Sequence, residues 1–125
     1  MKGFVAYFLV LSILILPVAS AADRSSRWRT VWRVSQGLLV AGNTADAASS
    51  WGKYETNPLL RTGSRFGYGS LAIKLGMMTG GLAMQQYISR KYPERIPLFA
   101  SANLAVAGVL GIVAWHNTGV PAAPR

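Results

Sequence analysis

Cysteine is absent from this 125-residue chain, histidine occurs once, and Asp and Glu together occur four times. Without cysteine there is no disulfide, thiolate metal site or Cys nucleophile. One histidine excludes a His-rich metal site. Charge of either sign is scarce: charged residues make up 14% of the chain and hydrophobic ones 51%, whereas a soluble domain is about a quarter charged. So few charges cannot cover a globule. The deficit points to lipid as part of the solvent, since apolar surface against acyl chains needs no polar cover. The chain is long enough for one domain.

What charge there is gives a net +9, in short basic clusters that flank apolar runs: Arg24, Arg27, Arg29 and Arg33; Arg61 and Arg65; Arg90, Lys91 and Arg95. This distribution suits lipid headgroups and topology signals better than a phosphate-tracking stripe. With no nucleic-acid-binding motif, nucleic acid is not the expected partner.

At the N-terminus, Lys2 precedes an apolar run from Phe4 to Leu16, then Pro17 and the small residues Ala19-Ser20-Ala21. Charged start, short apolar core and small-residue exit together read as a secretory signal peptide cleaved after Ala21. The alternative is an uncleaved first transmembrane anchor. With its N-terminus outside, that anchor places the Arg24–Arg33 and Arg90–Arg95 clusters inside, as the positive-inside rule prefers.

Three further segments are apolar: about 31–50, 66–88 and 97–115. The first carries small residues at four-residue spacing (Gly37, Ala41, Ala45, Ser49) but also Asp46, which costs ~3 kcal/mol at a membrane centre. The second contains a GxxxG, Gly76 and Gly80, preceded by Ala72; such strips let helices approach closely. Its glycines would weaken a helix in water by about 1 kcal/mol each. The third starts at Pro97, suited to a first helical turn, and holds Asn103 and a second small-residue strip, Ala107 and Gly111. Trp28, Trp32, Trp51, Tyr68 and Trp115 near segment ends read as interface anchors. Short loops at 52–65 and 89–96 make neighbouring helices antiparallel. The expected organisation is residues 1–21 as signal peptide or anchor, 22–117 as a helical membrane domain, and 118–125 as a flexible tail.

The polar residues inside these segments are the candidate functional positions. Asp46 shares a helix face with Gly42, Asn43, Ser49 and Ser50, and Lys74 in the next segment is its natural counter-charge. The pair reads as a register-fixing staple, with a proton relay or ligand site as the alternative, or with Lys74 snorkelling to headgroups. Asn57 can cap a short helix opened by Pro58, with Glu55 beside it at the interface. Asp46 and Glu55 would act as a carboxylate pair only if the chain reversed between them. His116 reads as a cap at a helix C-terminus. Neither a G-x-S-x-G elbow nor a phosphate loop is present.

The run Asp46, Ser49, Ser50, Glu55, Asn57, Pro58 and Leu59 resembles a pattern of small uncharacterised bacterial multi-helix membrane proteins. The resemblance implies a fold and a location, without chemistry to carry over. Together these readings predict an all-α integral membrane bundle of three mature transmembrane helices, four if the N-terminal segment stays. It would be no enzyme, need no cofactor or metal, and reach the bacterial cytoplasmic membrane by the secretory route. Its partners would be membrane lipid and a second copy or another membrane protein. A small transporter or ion- or proton-conducting bundle is the main alternative, and a membrane-embedded enzyme using Asp46, Glu55 and His116 the third.

Overall fold

Residues 21–50 contain no proline, and Asp23 sits where a helix N-terminus favours a negative charge. In the computed structural model, which describes residues 21–122, they form one unbroken helix, α1 (Ala21–Ser50). At 30 residues it is about 45 Å long, and it starts ten residues before the expected span at 31. Hydropathy marked only its apolar part. The arginine-rich turns before it are equally able to form helix, because Arg is a good helix former. The signal-peptide reading of the N-terminus falls on residues 1–20, outside the described part.

Gly52 ends the turn after α1 with a positive φ of 72°, a conformation glycine adopts without steric cost. The loop then doubles back: Gly52 N–H donates to Phe66 O at 3.0 Å, Phe66 N–H to Lys53 O at 2.8 Å and Glu55 N–H to Ser64 O at 3.2 Å. Helix α2 (Tyr68–Lys91) follows, then a 3₁₀ turn at Pro93–Arg95 and helix α3 (Ile96–Thr118). The expected loop at 89–96 is thus only Tyr92 and one short turn. Proline near its start opens both the turn and α3, where the missing N–H costs nothing.

The fold is all-α. Helices α1 and α3 form the extensive pair and run parallel: Trp32 packs in a cluster with Ile96 and Ala100, Gly42 lies against Ala107, and Ser50 meets Asn117. Buried positions on α3 fall at Ile96, Ala100, Asn103 and Ala114, the three- and four-residue steps of one helix face. Helix α2 runs antiparallel to both and touches them mainly through long polar side chains. A second apolar cluster, Ala47, Leu60 and Phe66 with Leu71 and Ile73 against it, ties the loop to the start of α2.

Polar residues share the interior with the two apolar clusters, and many large apolar side chains lie on the exterior. Ser35, Asp46, Ser70, Lys74, Ser89 and Asn103 are buried, whereas Val34, Leu75, Met84, Leu98, Val109 and Ile112 are exposed. Among the described residues one helical stretch, Pro93–Thr118, is long and apolar enough to cross a membrane. The other two expected spans do not reach that mark, since arginines, Asp46, Lys74 and paired glutamines interrupt them.

Candidate functional site

Two polar centres join the three helices. At the first, Lys74 Nζ on α2 lies 2.6 Å from Asp46 Oδ2 on α1. Both residues are about nine-tenths buried. The other carboxylate oxygen, Oδ1, accepts from Ser50 Oγ at 3.3 Å and Asn117 Nδ2 at 3.4 Å. Asn117 Nδ2 also donates to Ser50 Oγ at 2.9 Å and Ser49 Oγ at 3.5 Å. Lys53 donates to the backbone carbonyl of Asn117, placing a cation at the negative end of the α3 dipole. All three described helices and the loop at Lys53 thus contribute to one satisfied ion pair. Ser49 additionally donates to the Asp46 carbonyl at 3.0 Å.

The second centre is neutral. Gln85 on α2 and Asn103 on α3 face each other as a reciprocal amide pair, Gln85 Nε2 donating to Asn103 Oδ1 at 2.7 Å and Asn103 Nδ2 to Gln85 Oε1 at 3.0 Å. Asn103 Nδ2 also donates to Ser35 Oγ at 3.1 Å, and Trp32 Nε1 to Gln85 Oε1 at 3.0 Å. The Ser35 hydroxyl in turn donates to Trp32 O at 2.6 Å. Lys74 and Gln85 are separated by three helical turns, about 16 Å along α2. Between the two centres, α2 stands off from α1 and α3 and leaves a cleft of about 270 Å³. One turn before Lys74, the hydroxyl of Ser70 is fully buried without a hydrogen-bond partner among the described residues.

The remaining expected positions lie elsewhere. Glu55 Oε1 accepts the Asn57 N–H at 2.7 Å, and Asn57 Oδ1 accepts the Leu59 N–H at 3.0 Å. These local bonds make a turn, and no helix starts at Pro58; Pro58 and Asn57 are exposed. Glu55 and Asp46 engage different partners, so the chain reversal does not join them as a pair. His116 is exposed on α3, and its neighbour Asn117 points to the interior. Trp32, expected as an interface anchor, is buried at 7% exposure and hydrogen-bonded to Gln85. Trp115, at 81% exposure, does stand free. Of the small-residue strips, Ala107 is met by Gly42, where an added Cβ would stand 3.3 Å from the Ala107 carbonyl oxygen. Gly76, Gly80 and Gly111 have open space where a side chain would stand, so none of the described helices packs on them. No group of acidic or imidazole side chains among the described residues could hold a metal ion.

Ser35, Gln85 and Asn117 are the participants that the sequence reading passed over. Their signal is helical phase: Trp32, Ser35, Leu39, Gly42 and Asp46 share one stripe of α1, and Asn103, Ala107, Leu110, Ala114 and Asn117 one stripe of α3. Comparison with protein families, with curated proteins and with solved structures finds no match for the chain. Among the described residues, the fold and site define a three-helix arrangement with polar networks beside apolar clusters in its interior and many apolar side chains on its surface.

Proposed function

We propose that this chain is a small integral membrane protein of the bacterial envelope, a structural or accessory component that acts through helix–helix contact. The burial pattern carries this reading: an ion pair and an amide network lie inside beside the apolar clusters, and many large apolar side chains lie outside. In water such a surface would be an aggregation liability. In lipid it is solvated, and the buried polar side chains other than Ser70 find partners within the bundle instead of an acyl chain. The cost of inserting Asp46, ~3 kcal/mol alone, is offset by Lys74. The unoccupied Gly76–Gly80 strip on α2 supports contact with a second copy or another membrane helix.

Extraction of native membranes with alkaline carbonate, followed by crosslinking, tests both parts. The protein should stay in the pellet and yield a dimer or a defined larger adduct that Gly80→Leu removes. Release into the supernatant would end the membrane reading, and a monomer alone would end the contact role.

A conducting role is the second reading, favoured by the buried Asp46–Lys74 pair with Asn117 and Ser50 around it. Flux of protons or cations into proteoliposomes should then fall in Asp46→Asn and Lys74→Met. Equal flux in both variants and the parent would dismiss it.

A further inference from the structure

The cleft between the two polar centres is lined on one side by Lys74, Asn43 and Asn57 and along its length by Met78, Gly81 and Leu82. At about 270 Å³ it falls just under the ~300–1,000 Å³ of common small-molecule pockets, so it has room for one slender chain. Its polar end has hydrogen-bonding capacity to spare. Lys74 carries three donors, and one is spent on Asp46. Asn43 donates to the Leu39 carbonyl at 2.9 Å, and its own Oδ1 takes no partner among the described residues. Asn57 uses Oδ1 on the Leu59 N–H, and its Nδ2 takes no partner among the described residues. These are two donors and one acceptor around a cleft whose cation is already matched by a carboxylate. A second anion there would face Asp46 and gain little; an uncharged head that both accepts and donates fits.

The geometry points to a binding site for a single-chain lipid with an uncharged hydroxyl- and ester-bearing head, of the monoacylglycerol class. The head lies at Lys74, Asn43 and Asn57, and the chain runs past Met78, Gly81 and Leu82 toward Gln85. Gly81 lines this path and is exposed; a Cβ there would meet nothing within 4 Å, so a larger side chain could extend into the space in which the chain lies. The site does not depend on how many of the helices cross the bilayer.

The test uses full-length protein in detergent and a monoacylglycerol carrying a photoreactive diazirine in its chain, with adducts located by mass spectrometry. Adducts should fall on Met77, Met78, Leu82 and Val106 and be competed by unlabelled monoacylglycerol, but not by an alkane of equal chain length. Gly81→Leu, which fills the path while improving helix propensity, should abolish this labelling; Leu75→Trp on the exposed face should not. Asn57→Asp keeps the acceptor for Leu59 and removes the spare donor, and should weaken competition about fivefold, the worth of one hydrogen bond. Labelling spread evenly over Leu75, Leu98 and Val109 overturns the site. So does equal competition by the alkane or by a fatty-acid anion, or a copy-to-copy disulfide through Leu82→Cys showing that a second chain fills the cleft.

Discussion

Lys74 bridges to Asp46 across the gap between α2 and α1, with Nζ and Oδ2 2.6 Å apart. Few other side chains connect these two helices, so the pair sets where α2 stands. Lys74→Met leaves the Asp46 carboxylate buried without its cation and should cost about 3–5 kcal/mol. The double variant Asp46→Leu/Lys74→Met, which removes both charges, should recover most of that loss. Reversible unfolding in mixed detergent measures both, and a double variant as unstable as the sum of the singles would contradict the pairing.

The amide pair at the other end should behave differently, because no charge is at stake. Asn103→Leu strips Gln85 and Ser35 of a shared partner and should destabilise by about 1–3 kcal/mol. In a background where Trp32 is the sole tryptophan, Gln85→Leu should also shift its fluorescence, since the indole N–H loses its acceptor. An unchanged spectrum would mean that this bond is absent in solution.

Glycines on the two faces of the bundle should respond with opposite sign. At Gly42 an added Cβ already stands 3.3 Å from both the Ala107 carbonyl and the Leu110 Cβ. Gly42→Leu should therefore force α1 from α3 and cost about 1–3 kcal/mol. Gly76→Leu meets open space and should leave the isolated chain intact or up to about 1 kcal/mol more stable. Thermal unfolding of the two variants side by side makes the comparison.

Among the described residues, Gly52 alone has a positive φ, at 72°. Gly52→Ala should cost about 1–2 kcal/mol from the left-handed conformation alone. Its effect should be local, with amide exchange accelerated at Phe66 and Glu55, whose N–H groups close the loop. Uniform acceleration across α3 would show that the loop strain is not contained.

Helix number and placement were legible because their signals are local. Apolar runs and Pro97 act over a few residues, and α2 and α3 lie within a few residues of the expected spans, whereas Asn57-Pro58 forms a turn where a short helix was expected. The start of α1 was not legible from hydropathy, since arginine-rich turns form helix without being apolar. The function of individual polar residues was harder still. Asp46 and Lys74 stood out as charges in apolar surroundings, but Ser35, Gln85 and Asn117 are ordinary residues until helical phase turns them inward. Adjacent His116 and Asn117 make the point: a rotation of about 100° per residue leaves one outside and the other in the ion-pair site.

By itself the sequence determined an all-α chain, poor in charge, with polar residues marooned in apolar segments that demand partners. Only the tertiary structure decided which partners they take. Asn103 bonds Ser35 and Gln85 because α1 and α3 run parallel and in register, with α2 laid against them from the opposite direction. The same packing left the Gly76–Gly80 strip outside and opened the cleft between Lys74 and Gln85. The physical reason is range. Helix formation is settled by neighbours three and four residues away, whereas a contact across 68 residues depends on how whole helices pack.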